Sequence, residues 1–168
     1  DGTLQRSYNT GGSVWSSPVL NDVDGDGALE IIIGSASSKV YVFNHDGTVR
    51  SVTSVGDWIA HSSPAIYEGK IYVGCFDDKL YCLDANSGIE LWSFNTDDNI
   101  DSSPVVSNNK VFIGSYDGKM YCLDADDGSE IWNFNAGHNI YSTPAICNDK
   151  LYFGDSYYGK VYCLNVDD

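Results

Sequence analysis

Apolar residues occur along this chain in short runs that glycine, asparagine and aspartate separate. The stretch 102–134 shows the pattern most clearly, with runs at 102–106, 110–114, 120–124 and 129–134. The dipeptide Asp117-Gly118, between the second and third runs, is typical of a β-hairpin turn. Long runs of helix formers are missing. Short runs joined by tight turns therefore predict four antiparallel strands in this stretch.

The same pattern recurs along the whole chain. The four prolines are Pro18, Pro64, Pro104 and Pro144, at spacings of 46, 40 and 40 residues. Each proline follows two small hydroxyl residues. A fixed period favours radial blades that pack on their neighbours, because a β-sandwich has no reason to repeat its sequence. We therefore predict an all-β fold, a β-propeller with four four-stranded blades that forms a single domain.

The fourth repeat ends after its third strand, and a matching strand lies at the other end of the chain. Residues 1–8 resemble residues 46–52, the outer strand of the first repeat. We expect this N-terminal strand to close the last blade. The predicted blades cover about 13–54, 58–96, 98–136, and 138–168 together with 1–9. The alternative is that the chain is half of an eight-bladed ring and pairs with a second copy as a homodimer.

The formal net charge of −15 narrows the choice of partners. It argues against nucleic acid, since phosphates require a basic surface. Solubility is one explanation of the charge, and cation binding is the other. No run of eighteen apolar residues exists, so we expect no membrane-spanning segment. The five cysteines show no disulfide framework, and we expect all of them to be buried small hydrophobic residues.

The first repeat contains an acidic insertion. Pro18 and Gly34 are 16 residues apart, whereas the equivalent distance is 10 in the other repeats. The extra residues form the pattern Asp-x-Asp-x-Asp-Gly-x-x-Glu. Alternate carboxylates converge on one hard cation when the loop turns sharply, and Gly27 permits that turn. The predicted ligands of a single structural Ca²⁺ are the side chains of Asp22, Asp24, Asp26 and Glu30 and the backbone carbonyl of Ala28.

Two family resemblances rest on these motifs. The acidic loop and the following Ile31-Ile32-Ile33-Gly34-Ser35 resemble the FG-GAP repeat of integrin-α-type propellers, which carries a calcium loop between the first two strands of a blade. Residues 83–92 and 123–132 resemble the PQQ-type propeller repeat, whose mark is Leu-Asp-Ala-x-x-Gly-x-x-x-Trp. The second resemblance implies that Trp92 and Trp132 dock between adjacent blades. Ser51 and Arg6 replace that tryptophan in the other two repeats.

The PQQ-type resemblance does not by itself imply the quinone. The PQQ dehydrogenases, which have a similar repeat, are far longer and carry two adjacent cysteines at the quinone, whereas no two cysteines here are adjacent. The same repeat also builds non-enzymatic scaffolds, such as the propeller lipoprotein of the bacterial outer-membrane assembly machine. We therefore expect Ca²⁺ as the cofactor, no bound PQQ and no catalytic residues.

The loops that lead into the innermost strands vary from repeat to repeat. Trp15, His61, Asp101 and Tyr141 lie three residues before the prolines, and Trp58, Asp98 and His138 lie three residues earlier in the last three loops. Side chains that vary within an otherwise repeated sequence indicate a binding surface near the ring axis. The alternative is ordinary sequence variation of loops. We expect the acidic loop on the opposite side of the propeller.

These expectations favour a non-catalytic, calcium-stabilised propeller that serves as a protein-interaction or surface scaffold. Its partner would be a protein or a glycan bound at one propeller face. The abundance of Ca²⁺ outside the cytoplasm favours an extracellular, cell-surface or periplasmic location. The alternatives are a fragment of a PQQ-dependent dehydrogenase and a carbohydrate-binding, lectin-like propeller.

Overall fold

The computed structural model describes residues 1–167, and all regular structure within them is β-strand. The first sheet contains β1 (Val19–Asn21), β2 (Glu30–Ser35), β3 (Lys39–Phe43) and β4 (Val49–Ser54). The second contains β5 (Ala65–Tyr67), β6 (Lys70–Gly74), β7 (Lys79–Asp84) and β8 (Glu90–Asn95). The third contains β9 (Val105–Ser107), β10 (Lys110–Gly114), β11 (Lys119–Asp124) and β12 (Glu130–Asn135). The fourth contains β13 (Ala145–Cys147), β14 (Lys150–Gly154) and β15 (Val161–Asn165).

Each sheet is one blade, in which neighbouring strands pair antiparallel in chain order. The all-β propeller architecture predicted from the repeat is therefore confirmed. Among residues 1–167, no helix has the length and apolar character that crossing a membrane requires.

The burial of the strands explains why their sequences differ. The middle strands β6, β7, β10 and β11 are buried on both faces, because each of these blades has a neighbour on either side. Their sequences are accordingly almost continuously apolar. The outer strands β8 and β12 alternate between exposed and half-buried positions. The hydrophobic cores therefore lie between blades, one at each junction of consecutive blades.

A glycine at the end of the second strand sets how closely each blade approaches the next. A methyl group built on Gly74 would lie 2.2 Å from Cγ2 of Ile100, which belongs to the loop leading into blade 3. The backbone N–H of Ile100 also donates to the carbonyl of Cys75 at 3.1 Å. The same contact joins Gly34 to Ile59 and Gly114 to Ile140. Three junctions thus share one close approach that no residue with a Cβ atom could make.

The predicted closure of blade 4 by the N-terminal strand is wrong for this structure. Residues 1–9 form no strand, and β15 pairs only with β14 within the described part of the chain. The segment instead packs on blade 1, where the ring of Tyr8 lies 5.8 Å from Tyr41 and 5.0 Å from Phe43. The hydroxyl of Tyr41 donates to the carbonyl of Thr10 at 2.8 Å. Contacts with blade 1 therefore hold this segment, and no fourth strand pairs with β15 among residues 1–167.

The open edge also corrects the expectation that all five cysteines are buried. Cys75, Cys82 and Cys122 are buried, and burial raises the pKa of each thiol to about 12. Cys147 and Cys163 are exposed because they lie in blade 4, whose outer face has no neighbouring blade among residues 1–167. All five cysteines are free, and no disulfide framework was predicted. The burial of each cysteine, however, depends on whether another blade packs against its own.

We predict that Gly114→Ala destabilises the protein by about 1–3 kcal/mol, because its methyl group would collide with the side chain of Ile140. Ile140→Ala alone should cost about 2–5 kcal/mol through the cavity it leaves. The double variant should be less destabilised than the sum of the two, since each change relieves the defect of the other. Urea unfolding of the four proteins measures this coupling. Strictly additive free energies would contradict the contact.

Candidate functional site

The acidic loop between β1 and β2 is folded around its own carboxylates. Asp22 accepts hydrogen bonds from the N–H groups of Gly25 at 2.7 Å and Gly27 at 3.0 Å. Glu30 accepts one from the N–H of Val23 at 3.0 Å. Gly27 has a φ of +88°, a conformation that favours glycine. The loop therefore turns sharply and points its carboxylates inward.

Three of the five predicted ligands come together. Carboxylate oxygens of Asp22, Asp24 and Glu30 lie within 4.8 Å of one another. Glu30 is only 1% exposed, so its charge requires a compensating partner. Asp26 lies outside the group, and its carboxylate accepts a hydrogen bond from the N–H of Ala28 at 2.7 Å. The arrangement is an all-oxygen cluster of the kind that suits a hard divalent cation.

Arg50 on β4 links this loop to blade 2, and the sequence reasoning missed it. Its guanidinium lies 2.7 Å from a carboxylate oxygen of Asp24 and also donates to the side-chain carbonyl of Asn86 at 2.6 Å and 3.0 Å. The hydrogen bond from Arg50 holds the pKa of Asp24 below its ordinary value. One guanidinium therefore faces a group of three carboxylates, and the cluster keeps an excess of negative charge when all are ionised.

The variable loops form a second candidate site at the opposite end of the blades. Because β1 and β2 are antiparallel, the loop leading into β1 and the acidic loop lie at opposite ends of blade 1. The ring of Trp15 stacks on His61 at 5.7 Å. The backbone N–H of His61 donates to Asp101 at 3.0 Å. Residues from three blades are thereby connected on one face.

Tyr116 extends this connection to blade 4. Its hydroxyl donates to the other carboxylate oxygen of Asp101 at 2.9 Å, and its ring meets Tyr141 edge to face at 4.5 Å. Burial and the neighbouring Asp101 raise the pKa of Tyr116. We call the connected set Trp15, His61, Asp101, Tyr116 and Tyr141 the loop row. Sequence reasoning found four of its members and missed Tyr116, whose signal was an aromatic residue two positions after the glycine of β10.

The other predicted surface residues lie outside the loop row. Trp58 is exposed, and its backbone N–H donates to the side chain of Asp57. The carboxylate of Asp98 caps the N–H of Asn99. His138 stacks on Tyr157 at 5.0 Å and meets Tyr158 edge to face at 4.6 Å. The exposed aromatic side chains of these loops therefore lie in the loop row, at Trp58 and in a smaller cluster beside blade 4.

The two repeat tryptophans lie at blade junctions. A methyl group built on Gly128 of blade 3 would lie 2.5 Å from the ring of Trp92 of blade 2. The indole N–H of Trp132 donates to the carbonyl of Val166 in blade 4 at 3.4 Å. Both rings also belong to the hydrophobic core of their junction. This placement matches a packing role and lies away from both candidate sites.

Comparison with known proteins gives the following matches. BamB from Moraxella catarrhalis superposes with a TM-score of 0.80 and 24% identity over 95% of this chain and 48% of that chain. The quinohemoprotein alcohol dehydrogenase from Comamonas testosteroni superposes with a TM-score of 0.78 and 18% identity over 93% of this chain and 34% of that chain. The human beta-alanine-activating enzyme is 30% identical over 89 residues, which are 52% of this chain and 8% of that protein.

The chain thus spans about half the length of the first of these structures and a small part of the curated relative. The two structural matches show a shared fold. A protein-family model adds the family itself, because it matches residues 1–168. The chain therefore belongs to the family described as outer membrane protein assembly factor BamB.

Proposed function

We propose that this chain is a non-catalytic, calcium-stabilised propeller that serves as a protein-interaction scaffold. The observation that carries the proposal is the loop row, which presents the exposed side chains of Trp15, His61 and Tyr141 on one face of the propeller. Loops on a rigid scaffold are the usual place for binding residues. Aromatic side chains supply much of the binding energy at protein interfaces. The family description, an assembly factor, is consistent with a partner that is itself a protein.

The calcium part of the proposal is supported by the cluster of Asp22, Asp24 and Glu30. Its carboxylates are preorganised by hydrogen bonds to the loop backbone, so a cation would find its ligands already in place. A bound ion would neutralise the buried charge of Glu30 and tie β1 to β2. The FG-GAP resemblance of the loop supports the same assignment. The ion's role is structural, since the loop lies at the opposite end of blade 1 from the loop row.

The proposed location is outside the cytoplasm, in the periplasm, at the cell surface or in the extracellular space. The description of the family as an outer membrane protein assembly factor supports it, as does the need for abundant Ca²⁺. A second copy of the chain is a further candidate partner of the scaffold.

A glycan is the second candidate ligand. Sugar rings stack on exposed aromatic side chains, and their hydroxyls need carboxylates and hydroxyls nearby. His138 with Tyr157 and Tyr158 gives an exposed aromatic cluster of this kind, close to Asp155, which accepts hydrogen bonds from the N–H groups of both tyrosines. This observation favours a lectin-like role for the blade 4 end of the face.

We expect Ca²⁺ to raise the melting temperature relative to EDTA. An ion at about 100 times its Kd contributes about 2.7 kcal/mol, which corresponds to a shift of about 5–10 °C for a chain of this size. Asp24→Ala should abolish most of that shift, because it removes one carboxylate of the cluster. Differential scanning calorimetry in the two conditions measures the effect.

Asp127→Ala is the matched control for this experiment. Asp127 lies in an acidic turn of blade 3, where its carboxylate accepts a hydrogen bond from the N–H of Ser129. Its removal should leave the difference between Ca²⁺ and EDTA unchanged. Equal melting temperatures of the unaltered protein in Ca²⁺ and EDTA would refute the calcium site.

The scaffold role predicts that Trp15→Ala combined with His61→Ala weakens protein binding about tenfold or more, because these exposed aromatic residues of the loop row supply the contacts. Proteins from a bacterial envelope extract are captured on the immobilised unaltered chain, identified and titrated against each variant. The control is Ile89→Ala with Leu91→Ala, two exposed residues of blade 2 that lie near or on its outer strand and away from the loop row.

Three outcomes decide between the functions. Equal binding by all three proteins contradicts the loop face as the interaction site. Binding to a glycan array in Ca²⁺, without capture of any protein, would favour the glycan-binding function over the protein scaffold. Dye-linked alcohol oxidation after addition of PQQ contradicts the non-catalytic role.

A further inference from the structure

The junction between blades 1 and 2 has a different polar link from the two junctions that follow it. At the second junction, Lys70 at the start of β6 pairs with Asp126 of blade 3, and the third junction repeats this pair. The first junction has Glu30 in the place of the lysine and Asn86 in the place of the aspartate. A carboxylate and a neutral amide form no ion pair, so another side chain has to connect these blades.

Arg50 on β4 makes this connection. Its Nε and Nη2 atoms donate to the side-chain carbonyl of Asn86 at 3.0 Å and 2.6 Å. Its Nη1 atom donates to the side-chain carbonyl of Asn44 at 3.0 Å and lies 2.7 Å from Oδ2 of Asp24. One guanidinium therefore ties the acidic loop of blade 1 to a turn of blade 2.

The carboxylate that Arg50 contacts is also a predicted ligand of the calcium ion. Asp24 belongs to the group of three carboxylates with Asp22 and Glu30. Among residues 1–167, Arg50 is the one lysine or arginine that pairs with this group. A divalent ion held by the group would share Asp24 with the guanidinium, and the two positive charges would repel each other.

The predicted ligands do not depend on Arg50 for their positions. Oδ1 of Asp24 accepts a hydrogen bond from the N–H of Asp26 at 3.1 Å, and it is the other oxygen, Oδ2, that faces Arg50. Both carboxylate oxygens of Asp22 and one of Glu30 accept hydrogen bonds from N–H groups of the loop. Removal of the guanidinium therefore takes away a competing charge and leaves these backbone hydrogen bonds in place.

We propose that Arg50 competes with the calcium ion for Asp24 and thereby sets the affinity of the site. This inference rests on the calcium part of the proposed function. Without the ion, the guanidinium compensates the carboxylates and ties the loop to blade 2. With the ion bound, the contact between Arg50 and Asp24 weakens. The ion and the guanidinium oppose each other by the same free energy, because coupling between two binding events is reciprocal.

The neutral side chain of Asn86 suits this competition. An aspartate there, as at the equivalent Asp126 of blade 3, would hold the guanidinium by a full ion pair and draw it away from Asp24. The asparagine accepts hydrogen bonds without a charge, so Arg50 remains paired with the acidic loop. Calcium binding is thereby connected to the contact between blades 1 and 2, which a guanidinium used only for packing would not achieve.

Isothermal titration with Ca²⁺ tests the competition. Arg50→Gln should bind Ca²⁺ about tenfold more tightly than the unaltered chain, because glutamine removes the charge and keeps a polar side chain. Lys70→Gln is the matched control, since it removes the same charge from the equivalent link at the next junction. Its dissociation constant for Ca²⁺ should equal that of the unaltered chain.

The outcomes separate this inference from the calcium site itself. If the unaltered chain binds Ca²⁺ and Arg50→Gln binds it equally or more weakly, the competition is wrong while the site stands. Equal tightening by Arg50→Gln and Lys70→Gln would reduce the effect to overall charge and also overturn the competition. Absence of Ca²⁺ binding in all three proteins would contradict the site and the competition together.

Thermal unfolding gives the same comparison without titration. In EDTA, Arg50→Gln should melt below the unaltered chain, because the three carboxylates then lack their compensating cation. In saturating Ca²⁺ its gain in melting temperature should be about 3–6 °C larger, which is the shift that tenfold tighter binding gives. Equal gains in the two proteins would contradict the competition.

A further measurement uses the unaltered chain and does not depend on the folding of a variant. The chain has two arginines, Arg6 and Arg50, so its NMR spectrum contains two arginine Nε–H signals, and Arg50→Lys identifies the second by its loss. Ca²⁺ should shift the Arg50 signal and speed the exchange of its guanidinium protons with water. The Arg6 signal should stay unchanged. An Arg50 signal that does not respond when Ca²⁺ saturates the site, or equal responses of both arginines, would overturn the proposal.

Discussion

The approach of one isoleucine to one glycine determines how each blade of this protein sits on the next. Because Gly74 has no Cβ atom, the loop carrying Ile100 can lie against the end of β6 and donate a hydrogen bond there. The residue after Ile100 is Asp101, which receives His61 from one side and Tyr116 from the other. The contact between Gly74 and Ile100 thus packs the junction and also positions Asp101 of the loop row.

Blade 1 departs from this scheme in a way that connects the acidic loop to the core. Lys70 and Lys110, the first residues of β6 and β10, form ion pairs with Asp126 and Asp167 of the following blades. The same position in blade 1 is Glu30, which cannot make that pair and turns toward the acidic loop instead. Arg50 takes over the contact with the following blade through Asn86. A cation in the loop would therefore act on the stability of the first junction.

Much of the fold was predictable from the sequence, because each blade repeats the same local signals. Prolines at nearly regular spacing, turn residues and apolar runs locate the strands of the four sheets. The ligand cluster was also partly predictable, since alternate carboxylates in a sharp loop converge. Asp26 was not, because its carboxylate satisfies the backbone N–H of Ala28. Tyr116 and Arg50 act across blade boundaries, and the repeat period alone does not reveal such contacts. The position of residues 1–9 depends on contacts with blade 1, such as that of Tyr8 with Phe43, which the repeat pattern does not reveal.

The loop row connects the four blades through contacts between their loops. Trp15 of blade 1 stacks on His61 of blade 2, and Asp101 of blade 3 accepts hydrogen bonds from His61 and Tyr116. A partner that binds across the loop row would engage several blades at once. Its binding free energy would then add to the stability of the junctions between those blades, because it binds only the folded arrangement.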